Sequence, residues 1–223
     1  MGSNEIFTTQ DGSHSVISPV YGVSYHSRYG AIQESRHVFL ESGLFYLLPQ
    51  KSEVVVLEMG FGTGLNALLT LLASANRGVS VHYTAYELNP LAPDEALSLN
   101  YPTLLQGPLA DSSFRALHQS DWEKTVDLLP GFQLEKRNRD FRTLAESGRY
   151  DLVYYDAFAP EAQPELWTDE TLEKVVKAMK PGGVFVTYCA KGALKRTLRS
   201  LGLTVESIKG PPGKREMTRA IKP

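Results

Sequence analysis

Four acidic residues and a set of alternating glycines carry the chemistry this chain could perform. Glu58-Met-Gly60-Phe-Gly62-Thr-Gly64 sets one acid just ahead of three glycines. Such a turn is tight, and its bare backbone lets a ligand lie directly against it. Glu87 follows 23 residues after Gly64, and a carboxylate there can accept two hydrogen bonds from the hydroxyls of a ribose. Asp140 ends the polar run Arg137-Asn138-Arg139-Asp140. Asp156 stands between Tyr154-Tyr155 and Ala157-Phe158-Ala159-Pro160. A carboxylate in so apolar a setting is costly to desolvate unless a cation or donor meets it, and an amine substrate would be such a partner.

Each acid falls at or just past the end of an expected strand. The β-branched run before Gly60 reads as a strand covered on both faces, and residues 65–72 as the helix after the turn. Further strands are expected at 79–87, 132–136, 150–156 and 184–188, and helices at 32–45, around 93–99, at 140–147, 168–179 and 191–201. Pro181-Gly182-Gly183 is read as the stop of the helix at 168–179. Residues 101–130, punctuated by Pro102, Pro108 and Pro130, read as an insertion of short helices. The segment 204–221 reads as a strand pair turning at Gly210-Pro211-Pro212-Gly213. Residues 4–30 read as short strands or ordered loop. Strands alternating with helices give an α/β fold with a doubly wound, mostly parallel sheet. Ligands of such sheets bind beyond the carboxyl ends of the strands, the rim where these acids lie.

The glycine spacing separates two ligand classes. A dinucleotide turn has the form G-x-G-x-x-G, which would require glycine at position 65, where this chain has Leu65. No Gly-Lys-Ser/Thr follows to make a phosphate loop. The pattern instead resembles the first motif of class I S-adenosylmethionine-dependent methyltransferases. A more specific resemblance rests on several segments together: Glu58-Met-Gly-Phe-Gly-Thr-Gly-Leu-Asn66, Asp156-Ala-Phe-Ala-Pro160 with Pro164-Glu-Leu-Trp167, Tyr25-His-Ser27, Glu34-Ser-Arg-His-Val-Phe-Leu40 and Lys214-Arg-Glu-Met217. Together they resemble the MnmC-type methyltransferases, which methylate the aminomethyl group on the wobble uridine of certain tRNAs. The resemblance runs from about Tyr21 to Ala220.

It implies a Rossmann-like class I methyltransferase domain over residues 46–223, with an N-terminal extension, residues 1–45, packed on it. It implies S-adenosylmethionine as cofactor, held by Glu58, Gly60, Phe61, Gly62, Thr63, Gly64, Glu87, Leu88, Asp140 and Asp156. Glu87 would take the ribose and Asp140 the adenine amino group, although an acid there could simply cap the next helix. Asp156 is the expected catalytic group, with Tyr25, Phe158, Pro160 and Trp167 around the substrate. Lys191, Lys214 and Arg215 are expected on tRNA. Glu34 and Arg36 would tie the N-terminal segment over the cofactor. Known members carry a C-terminal flavin oxidase domain that frees the aminomethyl group, and this chain ends at Pro223. A stand-alone methyltransferase served by a separate enzyme is the resulting expectation.

The composition excludes several other classes. Net charge is −2, which argues against an indiscriminate nucleic-acid binder. That average hides a gradient: residues 191–223 carry +7 and the rest −9, which suits a polyanion docking on one side. No apolar stretch approaches bilayer length, and the first residues lack the charged and apolar regions of a secretory signal, so a cytoplasmic protein without membrane attachment is expected. A single cysteine, Cys189, excludes an intramolecular disulfide, and no two of the five histidines form an i, i+4 pair with a neighbouring acid that would suggest a metal site. Two rivals remain open: a methyltransferase of a small-molecule or protein amine, and a non-catalytic module that binds cofactor or tRNA.

Overall fold

In the computed structural model, which describes residues 5–223, the chain opens with an antiparallel hairpin of β1 (Glu5–Thr8) and β2 (His14–Ile17). The start of the chain read above for a signal, residues 1–4, lies outside the described residues. A helical run follows: α1 (Ala31–Ser35), a π-helical stretch Arg36–Leu44 and α2 (Phe45–Leu47). A domain boundary at 45/46 would fall within this run.

Then come β3 (Glu53–Met59), α3 (Leu65–Ala75), β4 (Ser80–Tyr86), α4 (Pro93–Leu97), α5 (Tyr101–Leu105) and α6 (Ala110–Gln119). β5 (Thr125–Leu129), β6 (Phe132–Arg137) and β7 (Tyr150–Tyr155) lead to α7 (Asp169–Ala178). The chain finishes with β8 (Met179–Thr187), α8 (Gly192–Ser200), β9 (Thr204–Lys209) and β10 (Glu216–Ile221). The large sheet has the order β5-β6-β4-β3-β7-β8-β10-β9. Its five inner strands, β6 to β8, are parallel, while β5, β9 and β10 pair antiparallel.

The period of two in the strands explains how one sheet serves two cores. Val56, Leu152 and Tyr154 face the cluster built with the π-helical stretch and α3, whereas Leu57, Val153 and Tyr155 face the cluster under α7 and α8. Burial on both faces is why these strands read as unbroken apolar runs. From β3 the chain proceeds outward through β4 and β6, then returns to place β7 on the other side of β3. The strand order therefore reverses between β3 and β7, leaving a crevice above their carboxyl ends.

Three expectations are corrected. Residues 140–147 do not form a helix: a single 3-10 turn, Phe141–Thr143, is followed by extended Leu144. Burial of Phe141 and Leu144, together with the Glu146–Arg137 ion pair, pulls the chain away from helical geometry. Pro181-Gly182-Gly183 does not end a helix but lies inside β8, as a bulge between the pairs Tyr150↔Met179 and Leu152↔Val184. The last part of the 101–130 insertion is the edge strand β5 rather than a helix.

Candidate active site

A cleft of about 860 Å³, its mouth included, opens above β3, β4 and β7. The glycine turn forms one wall. It is anchored by the amides of Gly60 and Phe61, which donate to Tyr86 O at 3.0 and 3.1 Å. Gly62 (φ +49°) and Gly64 (φ +72°) need the left-handed backbone that side chains resist. They also have no room for one: a Cβ on Gly62 would stand 2.9 Å from Tyr25 Cδ1, and one on Gly64 2.8 Å from His118 Nε2.

Thr63, between them, is gripped from two sides. Its hydroxyl shares a 2.8 Å hydrogen bond with His26 Nε2, and its carbonyl accepts from His118 Nε2 at 3.2 Å. Burial pushes the pKa of both imidazoles down to about 4, helped at His118 by nearby Lys136. Both rings are therefore neutral at pH 7. Lys136 itself is buried, donating to Leu117 O and His118 O at 2.7 and 3.2 Å beneath the Trp122 and Phe61 rings. Burial brings it down to about 8.

The acids line up as the sheet requires. Glu87, just past β4, accepts from Gly62 N at 2.9 Å with one oxygen and from Asn89 N at 2.8 Å with the other. Each carboxylate oxygen can accept twice, so capacity remains for a diol. Burial holds Glu87 above its ordinary pKa. Glu58 is fully buried at the end of β3, and among the described residues neither carboxyl oxygen has a hydrogen-bond partner. Desolvation, then the charge of Asp156, raises its pKa well above the usual range.

Asp156 is half-buried at the end of β7. Its amide donates to Met59 O at 3.2 Å, and Asn66 Nδ2 donates to its Oδ2 at 2.8 Å. Its carboxyl is pushed up to about 7, by burial first and by Glu34 second, while Asn66 and Lys214 pull it down.

The remaining expected residues fall into three groups. Leu88 and Asp140 line the cleft. The Asp140 carboxylate caps the turn Phe141–Thr143 and is held by the Arg142 guanidinium, which lowers its pKa. Tyr25 and Phe158 also line the cleft, edge to face at 5.0 Å, with Tyr21 4.9 Å from Phe158. Trp167 stands behind that wall, its indole donating to Phe158 O at 2.8 Å. Pro160 lies outside the cleft, in a second groove with Tyr188, Cys189, Lys191, Lys214 and Arg215.

The three cations differ in that groove. Arg215 is exposed, Lys191 pairs with Glu161, and Lys214 is drawn inward by Glu34 at 2.9 Å. Arg36 is exposed and makes no such tie, so the expected Glu34/Arg36 clamp is a Glu34/Lys214 one. Residue types alone did not single out Asn66, His26, Tyr21 or Gln163, which donates to Tyr21 OH at 3.0 Å. The signal for Asn66 and His26 lay in their membership of the quoted motifs.

S-adenosylmethionine, expected from the resemblance, fits these residues. The glycine turn offers a cradle that a Cβ would fill, and Glu87 retains acceptor capacity, whereas Glu58 is fully buried and does not line the cleft.

Comparison with known proteins agrees. The family model described as S-adenosyl-L-methionine-dependent methyltransferase matches residues 132–223. The tRNA 5-methylaminomethyl-2-thiouridine biosynthesis bifunctional protein MnmC of Ectopseudomonas mendocina is 33% identical over 90% of this chain. The aligned region is 32% of that protein, so the chain spans about a third of such relatives. The crystal structure of MNMC2 from Aquifex aeolicus superposes with a TM-score of 0.77 at 27% identity, covering 99% of this chain and 70% of that one. An S-adenosylmethionine-dependent O-methyltransferase from Thermotoga maritima, at 16% identity and TM-score 0.51, covers 99% of this chain and 78% of its own, and shares the fold.

Proposed function

We propose that this chain is an S-adenosylmethionine-dependent methyltransferase that methylates the exocyclic amine of 5-aminomethyluridine, with or without 2-thiolation, at the wobble position of tRNA. The product is 5-methylaminomethyluridine. The names of the bifunctional relatives support this substrate. The observation that carries the reading is the placement of Asp156, a carboxylate fixed by Asn66 in the same cleft as the glycine turn and poised near neutral pH.

Gly60 to Gly64, Glu87, Leu88 and Asp140 are the residues we assign to the cofactor, which when bound supplies a methyl already electrophilic enough for in-line displacement. The chain's own work is then to position and desolvate. An ammonium has no lone pair, so the amine must be neutral to attack. With Oδ2 of Asp156 occupied by Asn66, Oδ1 is the atom that meets the amine. The amine arrives neutral, and the ionised carboxylate accepts its N–H and faces the positive charge that grows on nitrogen as the N–C bond forms. Tyr25 and Phe158 exclude water and offer aromatic faces to an unstacked base. Arg215 and Lys191 meet backbone phosphates, which give affinity without reading sequence.

The test is to incubate the chain with S-adenosylmethionine and tRNA bearing unmethylated aminomethyluridine, then analyse nucleosides by mass. Methyl on the aminomethyl nitrogen is the expected result. Cofactor and tRNA binding without transfer, or methylation confined to free amines, would overturn it.

A further inference from the structure

Lys214 carries charge where a surface lysine would not. Its ammonium lies 3.8 Å over the Tyr188 ring and 2.9 Å from Oε1 of Glu34, whose own side chain is only 9% exposed. The other oxygen of Glu34 accepts from Ser27 N at 2.8 Å, immediately after the Tyr25-His26 pair that rests on the glycine turn. Tyr188 in turn donates to Ala157 O at 2.7 Å, next to Asp156. One acid from the N-terminal helix and one base from the turn between β9 and β10 thus converge on the Asp156 loop, 180 residues apart in sequence. With Glu34 buried and Lys214 about a third exposed (34%), the pair is a weak source of stability, because desolvation of the acid and solvent screening of the base offset most of its attraction.

We infer that Glu34 and Lys214 are positioning residues for methyl transfer, an opposed pair of charges that together set how readily Asp156 ionises. The inference rests on the assignment of Asp156 as the carboxylate that meets the amine. Asp156 feels Glu34 as a raising influence and Lys214 as a lowering one. Near it stand Glu58 in β3, whose pKa burial raises, and Tyr188 and Tyr83, both with pKa values raised by burial and so uncharged, while Glu87, Asp140, Arg139, Arg142, Glu165, Tyr21, Tyr25 and His26 line the same cleft and are unchanged in every variant below. Removing either member of the pair therefore leaves the other unopposed, and the two removals act in opposite senses.

The experiment compares wild type, Glu34→Gln, Lys214→Met and the double variant. It measures single-turnover methyl transfer against pH, and follows the Asp156 carboxyl titration by isotope-edited infrared spectroscopy. The rate needs ionised Asp156, so it falls as pH drops through the Asp156 pKa. Glu34→Gln lowers that pKa, shifting the acid limb to lower pH and raising the relative rate at pH 6 about threefold. Lys214→Met shifts the limb to higher pH and lowers that rate by a similar factor. The double variant, which leaves no buried charge unpaired, returns towards wild type and keeps the test readable should Lys214→Met alone fold poorly.

Shifts of the same sign in both single variants, or an Asp156 titration that moves in neither, would overturn the inference. A titration that moves as expected beside an unmoved rate profile would retain the electrostatic pair and overturn instead the assignment of Asp156 to the amine.

Discussion

Asn66 donates its side-chain amide to Oδ2 of Asp156 at 2.8 Å, joining the first turn of the helix after the glycines to the acid that ends β7. The bond favours the ionised carboxylate, so Asn66→Ala should raise the Asp156 pKa from about 7. The acid limb of the rate profile then moves to higher pH, and turnover at pH 7 falls roughly tenfold, the scale of a hydrogen bond to a charged group. A pH series of kcat checks this; an unmoved limb would count against it.

Asp156→Asn keeps the size and removes the charge. Cofactor affinity, measured by calorimetry, should stay within a few-fold of wild type while turnover drops by about two to three orders of magnitude. A variant with the wild-type rate would remove Asp156 from the chemistry.

Gly62→Ala meets two obstacles, a left-handed backbone at φ +49° and the Tyr25 ring 2.9 Å from the new carbon. The strain is about 1–2 kcal/mol, and relieving it displaces Tyr25 or the amide that Glu87 accepts from. Cofactor dissociation constants should rise roughly tenfold, and the crystal structure of the variant should show the ring moved.

Thr63→Val leaves Nε2 of buried His26 without its partner. The cost is about 1–3 kcal/mol in urea unfolding, and Thr63→Ser, which restores the hydroxyl, should recover most of it. Equal losses in both variants would point to the methyl group rather than the hydrogen bond.

Arg215 is exposed in the groove, whereas Lys191 is shared with Glu161. Arg215→Ala should therefore lower the salt slope of tRNA binding by about one, and Lys191→Ala by less. Binding isotherms at several salt concentrations separate the two.

Much of the site was legible before folding because its acids obey a local rule. An apolar run ends where its strand leaves the core, and a polar residue placed just past that point can face the rim; Glu87, Asp140 and Asp156 line the cleft, whereas Glu58, still inside β3, is fully buried. The alternating glycines likewise declared their turn, since left-handed backbone at Gly62 and Gly64 is a requirement of the residue itself.

What tertiary structure alone decided is which distant groups share a neighbourhood. The helix expected over 140–147 gave way to a single 3-10 turn because burial of Phe141 and Leu144 and the pull of Arg137 on Glu146 outweighed local propensity. Lys214 was expected on tRNA beside Lys191 and Arg215, yet Glu34 draws it inward over Tyr188. The grip of His26 and His118 on Thr63 spans 37 and 55 residues. No spacing rule reaches that far, because periodicity encodes only the direction of a side chain from its own strand or helix, whereas ion pairs and hydrogen bonds depend on how the elements are brought together.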